Sequence, residues 1–147
     1  MNKNLDECKK EILTDISRTI SFRLCSLGVD LGLFEDLSLN GPSSSEEIAF
    51  RKKYNERYIR EWLYGISKTG YIDFDRKTRK ASINDHYIEL FTTEGGKNSF
   101  KGFFKVINNM LLPYENLISS FKNGGGIKFE EYNSEFWKGL DLTGCSR

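Results

Sequence analysis

The stretch from Pro42 to Ile83 constrains this chain most, because its start, stop and turn signals leave room for one order of elements. Pro42-Ser43-Ser44-Ser45-Glu46-Glu47 holds two overlapping capping boxes, Ser43 with Glu46 and Ser44 with Glu47. In each, a hydroxyl accepts from an amide one turn ahead while the carboxylate reaches back to the cap amide. The spacing predicts a helix that starts here, turns Ile48 and Ala49 inward with Phe50 beside them, and ends near Tyr54. Asn55 can cap the next helix, Glu56 to Thr69, whose inward stripe is Tyr58 or Ile59, then Trp62, Leu63 and Ile66. Gly70 sits where a left-handed C-cap belongs. Tyr71-Ile72-Asp73-Phe74 and Lys80-Ala81-Ser82-Ile83 flank the polar turn Asp75-Arg76-Lys77-Thr78-Arg79, the pattern of a two-stranded ribbon with a charged tip. Helix, short turn, helix, ribbon is a winged helix-turn-helix.

Further helices surround that motif. Ile12, Leu13, Ile16, Ile20, Leu24 and Leu27 recur at steps of three and four from Leu5 to Leu27, with Lys9, Lys10, Asp15 and Arg18 between them. This predicts a long amphipathic helix with its stop at Gly28, followed by a short helix through Leu33, Phe34 and Leu37 and a turn at Asn40-Gly41-Pro42. After the ribbon, Asn84 can cap a short helix bearing Tyr87, Ile88, Leu90 and Phe91, closed by Gly95-Gly96. The most apolar stretch, Ser99 to Phe121, keeps helical spacing, and Pro113 should kink or divide it. Asn123-Gly124-Gly125-Gly126 ends that helix. The fold class is therefore mainly α with a small β-ribbon wing: a winged helix-turn-helix plus additional helices.

Composition limits the function classes. Among the 147 residues, 22 Lys and Arg face 21 Asp and Glu, so the net charge of +1 gives no global field for a nucleic acid or an anionic membrane. Three scattered cysteines, Cys8, Cys25 and Cys145, and the lone His86 predict neither a zinc site nor a disulfide scaffold. No apolar run is long enough to span a bilayer, and the polar N-terminus is unlike a signal peptide. The expected setting is cytoplasmic, with no membrane partner. His86 has no Ser, Cys or carboxylate constellation that sequence can place beside it, so no catalytic residue and no metal ligand is assigned.

Several strings within this order resemble the N-terminal winged-helix domain of S-adenosylmethionine-dependent small-molecule methyltransferases. They are Leu31-Gly32-Leu33-Phe34-Glu35-Asp36-Leu37, the Ser-Ser-Ser-Glu-Glu-Ile-Ala helix start, Arg57-Tyr58-Ile59-Arg60-Glu61-Trp62-Leu63 and Lys68-Thr69-Gly70-Tyr71-Ile72. The resemblance covers roughly Ile20 to Tyr132. It implies a domain that pairs two subunits and lids a substrate pocket, while a separate Rossmann-like domain downstream binds S-adenosylmethionine and transfers the methyl group. The glycine-rich loop of such a domain follows a strand and opens a helix, whereas Gly124 to Gly126 follow a helix and read as a linker. The expected organisation is a winged-helix and dimerisation domain over residues 1–122, with the long helix at 5–27, the helix-turn-helix at 43–70, the wing at 71–83 and aromatic helices at 84–122. Residues 123–147 are then a glycine-rich linker and the start of a missing catalytic domain. The chain reads as a fragment, truncated product or companion module that binds no cofactor by itself.

That framework gives roles to particular residues. Phe100, Phe103, Phe104, Ile107, Met110 and Leu111 make their helix apolar over more than one face, which a small core does not require. They are the candidates for a homodimer interface or for lining a small-molecule substrate pocket. Tyr132, in the aromatic group Phe129, Tyr132, Phe136 and Trp137, could approach cofactor only with a catalytic domain present; in this chain the group is expected to lie exposed or frayed. The alternative is a DNA-binding transcriptional regulator, with Arg57 and Arg60 at base edges and Arg76 and Lys77 on phosphates. Residues 41–80 carry 10 basic and 6 acidic side chains, a local +4. Glu56, Glu61, Asp73 and Asp75 lie among those cations and repel phosphate, so the charge run reads as a solvated face.

Overall fold

Side-chain caps fix four of the eight α-helix starts among the described residues. The computed structural model describes residues 3–94 and 97–144. Asn4 opens α1 (Leu5–Asp30) by accepting from the amides of Asp6 and Glu7, while the Glu7 carboxylate accepts from the Asn4 amide. Gly32, at φ 65°, redirects the chain into α2 (Leu33–Asn40). Ser44 and Glu47 form the capping box of α3 (Ser45–Lys52), and Asn55 caps α4 (Glu56–Ile66). The wing pairs β1 (Ile72–Asp75) with β2 (Lys80–Ile83) antiparallel, Ile72 opposite Ile83. A single bridge from Ser43 to Ala81 ties the start of the helix-turn-helix to the wing.

The chain forms two compact units divided after Asn84. The first has a core of Cys25, Leu33, Phe34, Leu37, Ile48, Leu63 and Ile66, with Ile59, Trp62, Ile72 and Ala81 around it. Trp62 joins α4 to α1: its indole N–H donates to the Leu24 carbonyl at 2.8 Å, and its ring meets Phe34 edge to face at 5.2 Å. Gly28 is not the helix stop that its position suggested. The helix runs through it to Asp30, because glycine is required there by the neighbours rather than by the backbone. A Cβ at Gly28 would stand 2.4 Å from the Trp62 ring and 2.7 Å from Phe34. Gly65 has the same role on α4, where a Cβ would stand 2.7 Å from a Leu24 methyl. Tyr58 and Phe50 are exposed, whereas Ile59 takes the inward position on α4.

Asp36 and Arg51 hold α2 to α3. The carboxylate is buried and accepts from the Arg51 guanidinium at both oxygens, at 3.0 and 2.5 Å, while the same guanidinium donates to the Ser43 hydroxyl at 2.9 Å. The fork satisfies a charge that burial alone would make costly. The hydrogen bond to Asp36 raises the Arg51 pKa, with the Asp36 and Glu47 charges acting in the same direction against desolvation.

The second unit starts at Asp85. It contains α5 (Asp85–Thr92), α6 (Lys101–Met110), α7 (Tyr114–Asn123), one 3₁₀ turn (Phe129–Glu131) and α8 (Ser134–Thr143). The glycines expected to close α5, Gly95 and Gly96, lie outside the described residues, as does Cys145. Pro113 divides the long apolar stretch into α6 and α7, and Gly124, at φ 77°, ends α7. Phe91 and Phe104 meet at 5.9 Å and carry the packing of α5 on α6.

The segment after the glycine run is neither frayed nor wholly exposed. Asn133 caps α8 by accepting from the Glu135 and Phe136 amides, and α8 packs on α6 at glycine distance. A Cβ at Gly102 would stand 2.7 Å from the Gly139 carbonyl oxygen, and one at Gly139 would stand 2.9 Å from Lys105 and Val106. Phe136 is buried and stacks on Tyr132 at 4.5 Å, although Phe129 stays exposed. Glu135 locks the pair by accepting from Lys105 and Lys138, each at 2.6 Å.

Candidate functional site

Two uncovered apolar stripes stand out against these cores. Of the six residues of the predicted stripe on α1, Ile12, Leu13, Ile16, Ile20 and Leu27 are exposed, Leu13 to 65%, and Leu24 is half-buried. Burial on this helix is confined to Cys25, Ser26, Gly28 and Val29 near its end. The other stripe is on α6: Phe100, Phe103, Ile107, Met110 and Leu111 are exposed at steps of three and four, continued by Leu117 and Phe121 on α7. Contiguous apolar surface of this kind marks an interaction site more often than a solvated face does.

The six pocket or dimer candidates thus separate. Phe104 points into the core of its own unit, while the other five stay on the open stripe. Part of the reason for expecting an outside partner is also removed: α8 covers the glycine face of α6, on which Gly102 and Asn109 are buried. What stays open is the phenylalanine side of the helix.

The residues considered for DNA are dispersed in their chemistry. Arg57 is exposed at the start of α4, but Arg60 forms an ion pair with Glu56 at 3.3 Å, and Glu56 also accepts from the Ser45 hydroxyl. Arg76 and Lys77 are exposed in the wing turn. Asp75 shapes that turn by accepting from the Lys77 amide and the Thr78 hydroxyl, each at 2.8 Å, and these bonds lower its pKa. Lys80 closes the base of the wing on Glu47 at 2.8 Å. Sequence reasoning missed Tyr64, an exposed residue of α4 that meets Phe74 of the wing edge to face at 5.3 Å. Its signal is weak, because an aromatic residue off the buried stripe of a helix looks like surface.

Burial pushes the Cys25 thiol up to about 12, so the nucleophilic thiolate is not formed at neutral pH. His86 lies exposed in the first turn of α5. Gly124, Gly125 and Gly126 all have positive φ, but they run from α7 into a 3₁₀ turn, not from a buried strand into a helix. They do not fit the glycine loop by which a Rossmann-like domain holds S-adenosylmethionine.

Residues 20–93 match the family model of the Rv2258c-like winged helix-turn-helix domain. The chain belongs to that family. Solved structures share its fold at low identity. The S-adenosylmethionine-dependent methyltransferase SibL in its apo form is 16% identical with a TM-score of 0.64, over 90% of this chain and 43% of that one. The N,N-8-amino-8-demethyl-D-riboflavin dimethyltransferase RosA from Streptomyces davawensis is 12% identical with a TM-score of 0.70, over 98% and 44%. The mitomycin 7-O-methyltransferase MmcR is 19% identical with a TM-score of 0.63, over 92% and 42%. The chain therefore spans less than half the length of these enzymes. No curated protein matches the sequence. Among the described residues, no helix is long and apolar enough to cross a membrane.

Proposed function

We propose that this chain is the dimerisation and substrate-lid module of a class I S-adenosylmethionine-dependent methyltransferase acting on a small molecule. The observation that carries this reading is the pair of uncovered apolar stripes, on α1 and on α6 with α7, in a fold shared with methyltransferases more than twice its length. Ile12, Leu13, Ile16 and Ile20 offer a second copy of the chain an interdigitating helical surface. Phe103, Ile107 and Met110 suit either that copy or the apolar wall of a pocket that a catalytic domain completes. Cofactor binding and methyl transfer belong to that catalytic domain, since the glycines present here do not form its loop.

Intact-mass spectrometry of the protein immunoprecipitated from its source tests the reading. A species larger by one catalytic domain, roughly 150–200 residues, supports it. A species at 17.0 kDa, or low-micromolar binding of S-adenosylmethionine by the 147-residue chain in calorimetry, would overturn it.

A further inference from the structure

Between the end of α4 and the wing lies a cleft of about 390 Å³ lined by Tyr64, Ser67, Lys68, Phe74, Arg76 and Arg79. Its volume falls within the roughly 300–1,000 Å³ of small-molecule sites. The floor is aromatic, Tyr64 against Phe74 at 5.3 Å with a ring angle of 75°, and Tyr64 is 42% exposed. Lys68, Arg76 and Arg79 stand around that floor, and none of them has an ion-pair partner among the described residues.

The wing carboxylates are turned away from the cleft. Side chains alternate along a strand, so Asp73 and Asp75 lie on the face of β1 opposite Phe74, and Asp75 is further engaged by the turn. Glu46, whose pKa is lowered by its own amide and by the Ser44 and Ser45 hydroxyls, also feels the Arg79 charge, but it is not part of the lining.

Arg79 adds an independent observation. It holds φ at 56°, the left-handed region in which glycine or asparagine is the ordinary occupant. Glycine would suit that backbone, yet the position carries an arginine that lines the cleft with two other cations.

We propose that this cleft binds a phosphate monoester carrying a flat aromatic ring, of the nucleoside monophosphate class, with the ring against Tyr64 and Phe74 and the phosphate held by Arg76, Arg79 and Lys68. A guanidinium fork matches two phosphate oxygens, and an aromatic face accepts any base. The proposal does not depend on the dimer reading.

The test is an amide-resolved NMR titration of the full chain with adenosine 5′-monophosphate at low salt. Saturable shifts at Tyr64, Ser67, Phe74 and Arg79, with Kd below about 1 mM, are expected. Arg79→Gly suits the backbone at that position, so it keeps the fold, and it should weaken binding by about tenfold. Tyr64→Leu should do the same while leaving the affinity for inorganic phosphate unchanged. Ile107→Asp, which addresses the dimer, should leave nucleotide binding as it is. The proposal is overturned if no saturable shift occurs, if inorganic phosphate binds as tightly as the nucleotide, or if Arg79→Gly binds unchanged. It is also overturned if a duplex oligonucleotide binds more than about tenfold tighter through the same amides, since the ligand is then nucleic acid.

Discussion

The two units bury apolar side chains on different terms. Among the described residues the first packs fourteen of them away from water, from Cys25 to Ile83, and the second packs three, Phe91, Phe104 and Phe136. The second unit nonetheless has more aromatic residues to use, eleven against nine, and leaves Phe100, Phe103, Phe121 and Phe129 in solvent. Both units draw helices together over glycine, Gly28 and Gly65 in one and Gly102 and Gly139 in the other. Close helix contact is therefore common to both, while a closed core is not. The first unit is complete except for the outer length of α1. The second is an assembled scaffold whose apolar side faces outward, the state expected of a surface that is finished by a partner.

That contrast can be broken by substitution, most severely at the seam of α1 and α4. Trp62→Ala removes a buried ring and its hydrogen bond to Leu24, and should cost about 3–5 kcal/mol, read as a shift of the urea midpoint; a loss under about 1 kcal/mol would mean that the first core is looser than described. Asp36→Ala leaves Arg51 without its acceptor and should cost about 2–3 kcal/mol, less than a fully buried pair because the Arg51 side chain keeps 29% of its exposure. Gly28→Ala and Gly139→Ala each force a methyl into contacts under 3 Å. Either should destabilise by about 1–3 kcal/mol, although alanine is the better helix former by about 1 kcal/mol; an increase in melting temperature for Gly28→Ala would remove the packing reason for that glycine.

The smallest effect sharpens the second unit. Hydrogen bonds from Lys105 and Lys138 hold the Glu135 carboxyl at about 2, against 4.5 for a free glutamate. A lowered folded-state pKa contributes stability that is present above 4.5 and is lost as pH falls toward 2. Amide protection factors in α6 and α8, with the intrinsic pH dependence of exchange divided out, should therefore fall as pH drops through that acid window and stay level above it. In Glu135→Gln the window should vanish; its persistence would assign the acid response to other carboxylates.

Local chemistry made much of the fold readable. The Ser44 and Glu47 capping box, the Asn55 cap and the charged wing tip are signals contained within a few residues, and each is found where the sequence placed it, whereas α4 ends at Ile66 with Ser67 as its cap and Gly70, left-handed as expected, lies in the turn beyond. Gly28 was misread because the reason for a glycine there lies in Trp62 and Phe34, distant in sequence and invisible to a helix-stop rule. The helix α8 was missed for a related reason: its pairing with α6 depends on Gly102 meeting Gly139, and neither glycine signals a contact by itself. Periodicity found the apolar stripes but could not tell Phe104, which faces Phe91, from Phe103 one position away, which faces solvent. The cleft at Tyr64 and Arg79 was unreadable, because it exists only once the wing folds back beside α4.

The stripes are the centre of this account, and their cover is measured most directly by sedimentation equilibrium of the 147-residue chain over a range of concentrations, with Ile16→Asp and Ile107→Asp beside it. Both sites are exposed, so the variants should keep their fold, unlike a charge at Phe104. A mass of twice 17.0 kDa for the unmodified chain, falling to the monomer in at least one variant, is the expected result. A monomer at every concentration, or a dimer unchanged by both aspartates, would contradict it.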